Sequence, residues 1–195
     1  MSDADLRILI IDENLVRASI LEDGLVEAGH RRPAIISDMR ELLRQIVDAD
    51  PDVILISLEN PNRDVLEQMF QVSRSVHRPV AMFVDRSDSA SIEAAIDAGV
   101  STYVVDGLRK ERVKPILDTT ISRFNAFNRL REELDRTRQA LDERKTIDKA
   151  KGILMRTRGI TEEEAYALLR KTAMNESRRV AEVAAGLLMA AKLLE

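Results

Sequence analysis

Two sets of side chains in this sequence have the types and spacing to do chemistry. The first is acidic. Asp12-Glu13, Asp85 and Asp106 each follow a short run rich in Val, Ile or Leu, and Ser57 lies inside another such run. Carboxylates gathered in this way suit a hard cation, which takes oxygen ligands. Standing apart, the same acids are ordinary solvated loop residues. No basic partner is evident for them, so weak Mg2+ binding at Asp12 and Glu13 is the only cofactor chemistry these residues offer. Ser57 has no adjacent base to activate it, and an unactivated hydroxyl is a poor nucleophile at neutral pH.

The second set is basic and lies near the C-terminus. Lys145, Lys149, Gly152 and Arg156 recur at i, i+4, i+7 and i+11, which places them on one face of a helix. Arg144 and Lys151 flank the opposite face, made of Ile147, Ala150 and Leu154, while Arg170-Lys171 and Arg178-Arg179 follow further on. A glycine within a helix costs ~1 kcal/mol of propensity, so Gly152 fits a place where a helix or ligand approaches the backbone. Such a stripe offers phosphate-binding charge to a polyanion, or is simply the solvated side of a helix.

Composition narrows the choice of chemistry. There is no Cys, and only His30 and His77 could serve as imidazole ligands, so thiolate chemistry is excluded and a His-based metal site is disfavoured. With no Gly-rich phosphate loop either, the chain reads as a binding protein and not an enzyme. The N-terminus opens MSDADLR without a secretory pattern, and no apolar run reaches the ~20 residues of a membrane span. A cytoplasmic protein without membrane contact is expected. Residues 1–120 hold 14 Lys and Arg against 22 Asp and Glu (−8), and residues 121–195 hold 16 against 12 (+4). The acidic front and basic back imply separate tasks.

The elements that must position these residues are legible. Arg7–Asp12, Pro33–Ser37, Asp52–Leu58, Pro79–Asp85 and Thr102–Val105 are short enough for buried strands, and amphipathic stretches near 15–28, 39–49, 64–76 and 89–98 separate them. Strands alternating with helices predict an α/β fold with a doubly wound, parallel five-stranded sheet. The acids then fall at the strand ends where such sheets bind ligands. After Lys114 one long helix is expected. Phe127, Leu130, Leu134 and Leu141 form the seam of a coiled-coil homodimer, or else pack back on the same chain. Gly159 closes this helix as a left-handed cap, Thr161 and Glu164 form a capping box for a second helix, and a third follows Asn175-Glu176-Ser177. The expected organisation is a receiver-like domain over 1–120, a coiled-coil linker helix over 121–136 and a C-terminal three-helix module over 137–195.

Residues 6–118 resemble a response-regulator receiver domain, on ILIIDEN, PDVILISLENP and GVSTYVVDG. The resemblance implies that Asp12 and Glu13 match the acidic, magnesium-binding pair. Ser57 stands where that family has its phosphorylated Asp, Val84 where it has a hydroxyl and Asp106 where it has a Lys, so a degenerate pseudo-receiver is expected. Residues 137–195 resemble the ANTAR domain, an RNA-binding module of transcription antiterminators, on Arg144, Ala150–Gly152, Leu154-Met155, Ala165, Leu169-Arg170 and Ala173. The front half, with ENPNRDVLEQMF and RPVAMFVD, is similar to nitrate-assimilation regulators of the NasT type. That likeness implies binding of paired hairpin loops in a leader mRNA, antitermination, and sequestration by a nitrate-sensing NasS-like partner. The alternatives are a phosphorelay response regulator with a DNA-binding helix, and a protein-binding adaptor whose long helix is the docking element.

Overall fold

The computed structural model describes residues 6–59 and 62–192. Asn60 and Pro61 of the ENPNR stretch therefore lie outside the described residues, as do the ends of the chain. It divides into two units, Met1–Asn128 and Arg129–Glu195.

The first unit alternates strand and helix: β1 (Ile8–Ile11), α1 (Leu15–Glu27), β2 (Ala34–Ile36), α2 (Leu42–Ala49), β3 (Val53–Leu58), α3 (Arg63–Ser75), β4 (Val80–Val84), α4 (Ser89–Asp97) and β5 (Thr102–Val105). All paired strands are parallel, in the order β2-β1-β3-β4-β5. Each central strand is buried on both faces, which is why it reads as a continuous apolar run. Alternate residues divide between two cores. Leu9, Ile11, Ile54, Ile56, Met82 and Val84 face one side, and Ile8, Ile10, Val53, Leu55, Ala81 and Phe83 face the other. Strand order reverses between β1 and β3, so Asp12 and Ser57 lie at the switch point of the sheet.

The long helix α5 spans Lys110–Arg158. It begins five residues earlier than the sequence pattern indicates, with Pro115 inside its first turns. Burial explains the early start, because Val113 and Leu117 are packed into the core beneath α1. Gly24 makes that packing possible: a Cβ there would meet the Lys110 carbonyl oxygen at 2.7 Å and the Val113 side chain at 2.8 Å.

In the second unit, the C-terminal part of α5 joins α6 (Glu162–Asn175) and α7 (Val180–Lys192). Gly159 takes the expected left-handed conformation at φ 67°, and its N–H donates to the Met155 carbonyl at 3.0 Å. Thr161 and Glu164 form the capping box that starts α6. Ala150, Leu154, Ala165, Leu169 and Ala184 make the small core. All five are alanine or leucine, and the three alanines let the helices approach closely. No helix among the described residues is long and apolar enough to cross a membrane.

Candidate functional site

In the receiver unit, the strand-end acids meet a residue that the sequence pattern did not single out. Asn14 caps α1, its side-chain oxygen accepting the N–H groups of Val16 and Arg17, and this sends Arg17 from the first turn back over the sheet. The Arg17 guanidinium donates through Nη1 to both carboxylate oxygens of Asp85, at 2.8 and 2.9 Å. Its Nε donates to Ser57 Oγ at 3.2 Å and lies 3.6 Å from Asp12 Oδ2. The arginine side chain is only 13% exposed, and Ser57 and Asp12 are buried. The expectation of acids without a basic partner is thus corrected for Asp12 and Asp85: a cation three residues into α1 pairs with both.

The remaining acids stand apart from this network. Glu13 and Asp106 are exposed, and neither side chain makes a hydrogen bond or ion pair among the described residues. The Asp106 backbone N–H closes the sheet by donating to the Val84 carbonyl at 2.9 Å. Burial pushes the Asp12 carboxyl above the usual carboxylate range, partly offset by Ser57, the Asn14 N–H and Arg17. Glu13 lines the mouth of a 670 Å3 crevice with Asp12, Ser57, Leu15, Val16 and Glu59. No cluster of three or more metal-ligating side chains occurs among the described residues.

The basic residues of the second unit divide into two groups. Lys151 is tied down: its Nζ lies 2.6 Å from Asp148 and 2.6 Å from Glu162, and its side chain is 14% exposed. It straps α5 to the start of α6 and has little charge left for a phosphate. Arg179 pairs with Glu143 and Glu182, and Arg178 with Glu176 and Glu182. This pair immediately precedes α7, where the positive end of the helix dipole disfavours cations and these carboxylates offset it. Surface partners also stand beside Arg144 (Asp148, 4.0 Å) and Lys145 (Asp142, 3.7 Å). By contrast, Lys149, Arg156, Arg170 and Lys171 are exposed and have no acidic partner among the described residues. Lys149 and Arg156 lie seven residues apart on α5, and Arg170 and Lys171 lie on α6.

Beside them runs a groove of 610 Å3 between α5 and α6, lined by Arg144, Ile147, Lys151, Gly152, Met155 and Tyr166 among others. A Cβ on Gly152 would meet only the Arg156 guanidinium, at 3.9 Å. Nothing among the described residues requires the glycine, and the space it leaves lies in the lining of the groove. Tyr166, 44% exposed, is the one aromatic ring of this unit.

The seam residues stay uncovered. Phe127 and Leu130 are each 66% exposed, and Leu134 and Leu141 about half exposed. Four large apolar side chains at heptad-like spacing thus stand about half exposed or more on an otherwise charged helix. Phe124, by contrast, is half-buried.

Comparison with known proteins agrees with both units. Residues 135–188 match the ANTAR domain. The chain is 28% identical to the transcriptional regulatory protein PdtaR of Mycobacterium tuberculosis, over 91% of this chain and 88% of that one. A 75-residue stretch, 38% of the chain, is 39% identical to a nitrate regulatory protein of Klebsiella oxytoca and spans 19% of it. The receiver domain of a modulated diguanylate cyclase from Desulfovibrio desulfuricans superposes with a TM-score of 0.53 at 16% identity, over 62% of this chain and 97% of that one. A CheY-like receiver domain from Methanospirillum hungatei gives 0.53 at 15% identity, with the same shares covered. These structural likenesses establish the receiver fold of the first unit and nothing of its chemistry.

Proposed function

For a chain that is a response-regulator-type ANTAR protein, we propose that its C-terminal unit binds paired hairpin loops in a leader mRNA and thereby prevents transcription termination. The observation that carries this reading is the exposed cation set Lys149, Arg156, Arg170 and Lys171, which has no acidic partner among the described residues. Uncommitted lysine and arginine displace counterions from phosphates, so binding is strong and salt-dependent. Hairpin loops also present unstacked bases, which an aromatic or guanidinium plane can stack upon. Tyr166 and Arg144, on the rim of the α5–α6 groove, supply such planes.

A homodimer through Phe127, Leu130, Leu134 and Leu141 completes the proposal. Two modules on one stalk engage two loops at once, and the second contact is then effectively intramolecular. The resemblance to a nitrate regulatory protein supports nitrate or nitrite assimilation genes as targets. A nitrate-sensing NasS-like protein that sequesters the regulator fits the same reading, since it needs only to cover the cations or the seam. A DNA-reading output is disfavoured, because α7 begins at Val180 with an alanine- and leucine-rich sequence and the arginines before it are ion-paired. Base readout requires polar side chains free at the start of a recognition helix.

The test compares affinity for a two-hairpin leader RNA and for duplex DNA of equal length, at several salt concentrations. Tighter binding to the hairpins, with a steep salt dependence, is the expected result. Equal affinity for both would reject the reading in favour of a protein-docking adaptor.

A further inference from the structure

The receiver fold implies a divalent cation between the acidic pair and the phosphoacceptor, and the residues present do not fit one. One oxygen of Asp12 accepts the Asn14 N–H at 2.8 Å, and the other faces the Arg17 guanidinium at 3.6 Å. Both oxygens of Asp85 are taken by Arg17. Ser57 Oγ accepts from the same side chain. A hard dication needs several uncommitted oxygens and carries a charge that a guanidinium at this distance repels. Among the described residues, the uncommitted carboxylate oxygens at this crevice belong to the exposed Glu13 and Glu59, the latter accepting only from Asn14 at 3.4 Å.

We propose that Arg17 is the resident cation of this pocket: it bridges Asp85, Ser57 and Asp12 and takes the charge-neutralising place of a divalent metal. The geometry accounts for two buried or half-buried carboxylates standing beside Ser57. Asp12 Oδ2 and Arg17 Nη2 are buried without a hydrogen-bond partner, and each is compensated by the opposite charge of the other side chain. Removing either partner strands the other in a low-dielectric site, which is the costly way to break a buried ion pair. The ends of α1, β1, β3 and β4 are thereby held together by a covalently attached cation that cannot dissociate or be chelated.

The experiment uses the full chain. Thermal unfolding is followed with magnesium chloride and with sodium chloride at matched ionic strength, and uptake of free manganese is read by electron paramagnetic resonance. Wild type is expected to show no saturable shift with magnesium and no manganese uptake. Arg17→Met should lose about 5 °C or more of the receiver transition, recover part of it with magnesium, and take up manganese at the freed carboxylates. Saturable metal binding by wild type would overturn the proposal, as would Arg17→Met melting like wild type. Should Arg17→Met fail to fold, the wild-type arm still decides, together with Arg17→Lys. The lysine keeps the charge and loses the fork, so it should melt between the two and still refuse manganese; manganese uptake by Arg17→Lys would likewise reject the idea.

Discussion

Both units bring arginine and lysine near carboxylates, and they use the charge in opposite ways. In the receiver, Arg17 is drawn inward and shared among Asp85, Ser57 and Asp12. In the C-terminal unit, Lys149, Arg156, Arg170 and Lys171 are exposed and have no acidic partner among the described residues. Charge that is satisfied inside a fold holds that fold in one state, and charge left unsatisfied on a surface is available to a ligand. Lys151 shows that the distinction runs within one unit too. It lies in the same basic stretch as Lys149, yet Asp148 and Glu162 claim it.

The sharpest way to break this contrast is to remove the free cations. Lys149→Ala, Arg156→Ala and Lys171→Ala combined should weaken hairpin RNA binding by about 10- to 100-fold near physiological salt and flatten the salt slope by roughly 2–3. The melting temperature should hold, since none of the three is part of an ion pair or the core. An unchanged affinity in fluorescence anisotropy would show that the exposed face is only solvated.

Next in size is the seam. Leu134→Lys places two like charges opposite each other in the proposed dimer, where neither has a partner. Self-association in sedimentation should fall, and two-hairpin affinity with it, by about tenfold as the linked second contact is lost. Single-hairpin affinity should stay near that of wild type. A variant that sediments like wild type would place the dimer contact elsewhere.

A smaller effect is expected from Lys151→Ala, which tests the committed charge. It should lower the melting temperature of the C-terminal unit, because Asp148 and Glu162 lose their shared partner. The salt slope of RNA binding should stay close to the wild-type value. A slope reduced by about one would mean that Lys151 leaves its strap to meet a phosphate.

Smallest of all is the response to a phosphodonor. Ser57 is buried and already accepts from Arg17, and Asp106 stands exposed where a Lys would assist. Intact-mass measurement after acetyl phosphate and magnesium should show no phosphoryl adduct. A stable adduct lost on Ser57→Ala would reopen the phosphorelay reading.

Much of the fold was legible because its signals are local or strictly periodic. The buried strands stand out as short apolar runs. Gly159 announces a left-handed cap, and the Thr161–Glu164 spacing announces a helix start. The two faces of α5 near Ala150 and Leu154 follow from the helical period alone. The start of α5 was misplaced because Pro115 reads locally as a boundary, whereas the burial of Val113 and Leu117 against distant residues carries the helix past it. Arg178 and Arg179 read as available for a ligand only while Glu143, 36 residues away from Arg179, was out of view.

The sequence by itself determined the element order and the helix caps, since each depends on neighbours within a few positions, and the strand–helix alternation pointed to the parallel sheet. Which charges are spent and which are free was decided only by tertiary structure. Arg17 lies 40 residues from Ser57 and 68 from Asp85, and Lys151 lies 11 from Glu162. No spacing rule links such pairs. A long flexible side chain bonds to whichever carboxylate the folded backbone brings within about 3 Å, and that is a property of packed elements, not of neighbouring letters.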